Sequence, residues 1–351
     1  MNVEVFSTPI TTIEYLELAH KSKWTGTIRI SIPESDVDFW TIYFISGQIM
    51  WCEGGTHWRR RWRRLLYQYC PHISIKNITL KDSCADYYQL KQWSERGLLM
   101  LNQIKQIVQS NFAEVLFDLL LQESWLQQKK QKSLNFNLDK TKQLNSYLPG
   151  IDLKTVLNAA KDDWSRWCEV GLKQISPNCV PSISLIQQKE LLHHVGLKIY
   201  KELVEVIDSE KTLRDIALVL RQPLLGVSIS LYILFKEGFL QMHGISDLPR
   251  DETFPPLSRK FISVEDFLSN TGVICNNCGC GSNSITASVC IRCNLPLTVH
   301  ALPASKKNNF SKKIIVSTLL LLLGGSFVLS DDFSRFLPQS IENQNKSDCI
   351  K

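Results

Sequence analysis

The hydrophobic positions along this chain change period several times, and each change marks an element. Ile13, Leu16, Leu18 and Ala19 fall at helical spacing, with Thr11 or Thr12 ahead of them as a cap. A turn at Trp24-Thr25-Gly26 leads into a β-branched run at residues 27–32. Two aromatic and β-branched runs, 39–45 and 48–52, flank Ser46-Gly47 and predict a hairpin, which Gly54-Gly55 then ends. Residues 72–80, with Ile73, Ile75 and Ile78, and residues 133–138, with Leu134, Phe136 and Leu138, read as further strands. The pattern over 86–128 is helical, and Ser110 suits the cap of the apolar run that follows it. Asp152 can cap another helix, with Trp164, Trp167 and Cys168 on one face. The fold class this predicts is α+β, a small antiparallel sheet with helices.

Residues 58–70 stand apart. At about 100° per residue, Trp58, Trp62, Leu65, Leu66 and Tyr69 share one arc, and Arg59, Arg60, Arg61, Arg63 and Arg64 occupy the rest. The expectation is an amphipathic helix with its aromatic stripe inward and its arginines outward. Such a face suits an acidic partner or an acidic contact within the chain, or is a passive solvated face whose stems shield the sheet beneath; these five arginines are the candidate partner-binding residues. Nucleic acid is the less favoured ligand, because the aromatic side chains face inward and are not offered for base stacking.

From 185 to 243 the chain is mostly helical. A capped helix start lies at residues 209–217, and Pro223 fits the first turn of a second helix through Val227, Leu231 and Leu234. Gly238 ends that helix, and residues 239–242 read as a short strand. The order resembles a helix-turn-helix with a small wing, although all-helical packing would give the same pattern. Lys236 is the only base in residues 224–237, which argues against a DNA-reading helix.

A charged, proline-bearing stretch at 249–256 is the best domain boundary. Beyond it the composition changes. Eleven cysteines are present; Cys52, Cys70, Cys84, Cys168 and Cys179 are scattered among apolar residues and read as buried thiols. Cys275-x-x-Cys278, eleven residues, then Cys290-x-x-Cys293 has the spacing of a four-thiolate zinc site. Two intervening residues let both sulfurs of a pair reach one tetrahedral ion. Gly279 and Asn294 follow the pairs, and these residue types tolerate the positive φ of a tight knuckle. Disulfides or a redox couple are the alternatives, and Cys280 is a spare thiol able to stand in for Cys278. A zinc held by four thiolates keeps no open position, so its expected role is structural. The segment resembles a zinc ribbon.

Residues 314–330 carry no charge over 17 positions, near the lower limit for a membrane-spanning helix. Lys306, Lys307, Lys312 and Lys313 precede the run; Asp331 and Asp332 follow it. The positive-inside rule then places residues 1–313 in the cytoplasm, and the start of the chain shows no secretory signal. Net charge is +6, with 44% hydrophobic and 21% charged residues, a globular composition with locally concentrated basic charge.

The hairpin ending in Gly47-Gln48-Ile49-Met50-Trp51-Cys52-Glu53-Gly54-Gly55-Thr56-His57, followed by Arg60-Arg61-Trp62-Arg63-Arg64, resembles the PATAN domain, the N-terminal half of PatA-type response regulators of cyanobacteria. Weaker echoes lie at residues 113–118, 176–181 and 213–217, so the resemblance covers roughly residues 1–245. The receiver domain expected after residue 245 in that family is absent from the pattern, and a ribbon and an apolar run stand in its place. The resemblance therefore implies the family's signalling-adaptor domain and does not imply phosphorylation.

The expected organisation is a PATAN-like domain at 1–248, a linker at 249–269, a zinc ribbon at 270–300, a basic stretch at 301–313, a transmembrane helix at 314–330 and a tail at 331–351. The expected function is a non-enzymatic, membrane-tethered adaptor acting through protein partners, in processes such as phototaxis or cell patterning. The rivals are a DNA-binding regulator, a membrane assembly factor using the ribbon, and an enzyme with an unfamiliar site. No phosphate-binding glycine loop, His-Glu-x-x-His or Gly-x-Ser-x-Gly motif favours the last.

Overall fold

The computed structural model describes residues 11–34, 39–73, 85–141, 144, 148–183, 188–249 and 257. Residues 74–80 of the expected strand at 72–80, Cys84, most of the linker, the paired cysteines and the apolar run at 314–330 lie outside these residues. The described chain is α+β and divides into two compact units.

The first unit comprises the residues up to Asn178 together with 245–257. Its centre is an antiparallel sheet of β1 (Gly26–Ser31), β2 (Phe39–Ile45), β3 (Gln48–Gly54) and β4 (Asn135–Asp139), in the order β3-β2-β1-β4. Ser46 and Gly47 have φ of 50° and 79°, so both central residues of the β2–β3 turn are left-handed, the geometry that matches strand twist. A bulge at Tyr43/Phe44 shifts the β2–β3 register. Gly54 and Gly55 both have φ of 82°; a Cβ on Gly55 would lie 2.3 Å from Trp40 Nε1. Glycine is therefore required where β3 turns away from the sheet.

Helix α1 (Thr12–Lys21) starts in a capping box between Thr11 and Glu14, and hydrogen bonding to Thr11 holds the Glu14 carboxyl below its ordinary range. The helical region after residue 85 is two helices, α3 (Ala85–Glu95) and α4 (Leu101–Gln128). The break falls at Gly97, whose φ is 69°, and Ser110 lies inside α4 rather than at a cap. Burial explains why: Ile104, Ile107 and Val108 continue the same apolar face into Phe112, Val115 and Leu116. Helix α5 (Leu153–Glu169) begins at Asp152 and buries Trp164, Trp167 and Cys168, as its spacing predicts. Trp164 and Trp167 both meet Phe117 of α4 edge-on, with centroids 5.5 and 5.3 Å apart.

The second unit, among the described residues, is Cys179–Gly244. It holds β5 (Val180–Ile183), α6 (Gln188–Val206), α7 (Leu213–Leu220), α8 (Leu224–Lys236) and β6 (Leu240–His243), with β5 and β6 paired antiparallel. Strand β5 has no period-2 signal of its own and contains Pro181; only its partner β6 makes it a strand. Thr212 and Asp215 form a buried capping box at the start of α7. Residues 221–223 then turn the chain through 119° into α8. No single helix among the described residues is long and apolar enough to cross a membrane.

Candidate functional site

Helix α2 (Trp58–Tyr69) runs directly off the hairpin and contains all five candidate arginines. The outward-facing arginine surface expected from the helical wheel is not what the fold builds. Every residue from Arg59 to Leu66 is buried, and the arginines are 1–6% exposed. Trp62 and Leu65 are also buried, as the wheel predicts, whereas Trp58 and Tyr69 are only half-buried. Helix α2 is enclosed on more than one side, so an apolar stripe did not identify its single covered face.

Burial of so much charge demands partners, because an uncompensated buried guanidinium is costly. Arg61 donates from Nε to Asn111 Oδ1 at 2.7 Å and from Nη2 to the Gly54 carbonyl at 2.9 Å. Asn111 in turn donates to the Cys52 carbonyl at 2.8 Å, so β3, α2 and α4 share one polar thread. Burial pulls the Arg61 pKa below its ordinary value, and the negative charges of Glu114 and Asp118 oppose that shift. Arg64 makes a two-pronged pair with Glu114, at 3.2 and 2.5 Å, which fixes the guanidinium plane as well as its charge. The Arg59 guanidinium lies 5.6 Å from the Trp58 ring centre.

On the other flank is an aromatic cluster. Trp62 meets Trp51 edge-on at 6.2 Å and stacks with Trp93 at 6.3 Å, while Trp51 lies 5.9 Å from Tyr87. Asp86 sits among these rings and accepts the Trp51 indole N–H at 3.2 Å and the Tyr87 backbone N–H at 2.8 Å. Burial pushes its carboxyl up to about 7, opposed by hydrogen bonding to Tyr87, while Glu53 adds to the rise and Arg61 opposes it. Burial also raises the Cys52 and Cys70 thiols, Cys70 to about 12, so these are inert core groups rather than nucleophiles.

The first turn of α2 contains no acidic residue, and its N-cap, His57, makes no side-chain capping bond. The cap comes from far along the chain. Asp247 accepts the backbone N–H of Arg59 through Oδ2 at 2.9 Å and that of Arg60 through Oδ1 at 3.0 Å. Arg60 Nε donates to the Ser246 carbonyl at 3.3 Å, and His57 Nε2 donates to the Ile245 carbonyl at 2.6 Å. Burial lowers the His57 pKa, which keeps the imidazole neutral with Nε2 carrying the proton. No sequence motif flags this contact; only the absence of an acid in the α2 first turn hints that one must be supplied.

A cleft of about 520 Å³ lies between α1, α4 and α5, lined in part by Glu14, Glu123, Ser124 and Trp164. Glu123 accepts the Thr12 backbone N–H there at 3.1 Å, and burial raises its carboxyl. Its role is thus to serve the start of α1. Among the described residues no group of three or more His, Cys, Asp or Glu side chains is placed to hold a metal. Cys275, Cys278, Cys290 and Cys293 lie outside those residues.

No protein-family model, curated protein or solved structure matches this chain.

Proposed function

We propose that the chain is a membrane-tethered signalling adaptor with a PATAN-like N-terminal region, working through protein partners rather than by catalysis. The observation that carries this reading is the character of α8. Leu224, Leu225, Ile229, Tyr232, Ile233 and Phe235 are half-buried there, and Lys236 is its only base. A half-exposed apolar and aromatic helix face suits another protein; it lacks the donors and cations that base edges and phosphates require. Arg59, Arg60, Arg61, Arg63 and Arg64 then contribute to partner binding through the structure they hold at α2. Residues 270–300 form a zinc ribbon in this reading, with Cys275, Cys278, Cys290 and Cys293 as structural ligands, and residues 314–330 form the anchor. Four thiolates in two closely spaced pairs suit a tetrahedral zinc, which would supply folding free energy on the order of 10 kcal/mol to a segment with little core of its own.

The runner-up is a DNA-binding regulator, favoured by one observation. Helices α7 and α8 meet at 119° across residues 221–223, close to helix-turn-helix geometry, and β5–β6 could serve as a wing.

One preparation tests these readings together. The tagged full chain, recovered from membranes under reducing conditions, should retain protein partners, contain about one zinc per chain and lose that zinc in Cys290→Ser. In intact spheroplasts Cys349 should react with a membrane-impermeant thiol reagent. Salt-dependent retention on DNA with no protein partner would favour the regulator. Recovery in the soluble fraction would overturn the tether.

A further inference from the structure

The contact between α2 and residues 245–247 joins parts of the chain 186–188 positions apart. The α2 first turn presents backbone N–H groups and a positive dipole end, with three arginines in succession and no acid of its own. That combination calls for a carboxylate. The occupant is a stretch without helix or strand: residues 244–249 form neither, and Ser246 and Pro249 are exposed. It is held by one side-chain carboxylate and two main-chain carbonyls. A separate peptide could make each of these contacts. His57 adds a second feature: it is 4% exposed, its Nε2 is committed to the Ile245 carbonyl, and its Nδ1 is buried with no hydrogen-bond partner. Among the described residues that ring thus bonds main chain, the Ile245 carbonyl, and no side chain.

We propose that the first turn of α2 is a docking site for a non-helical, aspartate-bearing peptide segment, and that residues 245–249 are its resident occupant, which a segment of the same chemistry on a partner protein can replace. The carboxylate supplies specificity by accepting from two adjacent amides at once. The carbonyls two and one positions before it set direction and register on His57 and Arg60. The inference deepens the adaptor reading by naming the chemistry of a partner.

The test uses the full chain in detergent, with amide hydrogen exchange as the readout and the peptide Gly-Ile-Ser-Asp-Leu-Pro, residues 244–249, as the probe. In Asp247→Ala, exchange across residues 57–64 should rise about tenfold while residues 104–121 of α4 stay protected. The added peptide should restore that protection. The same peptide carrying Asp247→Ala should not. Wild type should need far more peptide for any effect, because its tethered occupant competes at an effective concentration on the order of millimolar. If Asp247→Ala does not fold, Asp247→Asn serves, since it keeps one acceptor oxygen and should show a smaller rise. Unchanged exchange at 57–64, or an equal rise in α4, would overturn the proposal, as would peptide protection that does not depend on the aspartate. A chain that exchanges the peptide yet retrieves no protein partner would leave this inference standing and sink the adaptor reading. Partners retrieved without peptide exchange would sink this inference alone.

Discussion

Helices α2 and α8 invert what their compositions lead one to expect. The first carries five arginines in twelve residues and is buried from Arg59 to Leu66. The second is almost entirely apolar, yet only Val227, Ser228, Ser230, Leu231 and Leu234 are buried. The difference lies in partners. Around α2, Asn111 and Glu114 from α4, the Gly54 carbonyl and Asp247 meet charge with charge or hydrogen bond with hydrogen bond. Polar composition does not keep a helix at the surface when buried donors such as those of Arg61 and Arg64 find acceptors inside. Nor does apolar composition by itself bury every face of a helix: Leu224, Leu225, Ile229, Tyr232, Ile233 and Phe235 stay half-buried.

The sharpest way to break this comparison is to remove one buried charge. Arg61→Ala leaves Asn111 Oδ1 and the Gly54 carbonyl without their donor and opens space in the core. It should cost roughly 3–5 kcal/mol in urea unfolding, enough to unfold many small domains. Trp62→Ala should fall in the same range, roughly 3–5 kcal/mol, because it removes the ring that joins Trp51 to Trp93. If Arg61→Ala melts like wild type, the guanidinium is solvated after all and the contrast with α8 collapses.

Asp86 gives a prediction in pH. Its folded-state pKa of about 7 lies above the ordinary value of 3.8, so between those values the folded chain holds a proton that the unfolded chain has released. Its contribution is therefore fully present below about pH 4 and is lost as pH rises toward 7. Asp86→Asn keeps the oxygen that accepts from Trp51 and Tyr87 but cannot ionise. The stability difference, variant minus wild type, should grow with pH across that window. A difference that is flat with pH would show that Asp86 is solvated in the folded chain.

The smallest effects belong to α8. Leu225→Ser and Ile229→Ser change half-buried positions and should each cost less than about 1 kcal/mol, while weakening partner retention by the intact chain. A large loss of stability would mean that these residues serve the fold and would remove the observation that favours a protein-binding face.

Local structure in this protein was largely written in local sequence. The Ser46-Gly47 turn, the Thr11 and Asp152 caps, the extent of α2 and the shared face of Trp164, Trp167 and Cys168 all follow from a few neighbouring residues, because capping, turn chemistry and side-chain period act over one or two turns. What neighbouring residues could not specify is which faces are covered, since that depends on elements brought in from elsewhere. Ser110 reads as a cap until the apolar face of α4 is seen to pass through it. Residues 180–183 become a strand only because residues 240–243 return beside them. The arginines of α2 read as a solvent face until Asn111 and Glu114, 50 positions later, and Asp247, still farther along, are placed against them. Period tells which side chains point the same way; only the tertiary fold supplies the donors, acceptors and charges that decide whether that direction leads to water or into the core.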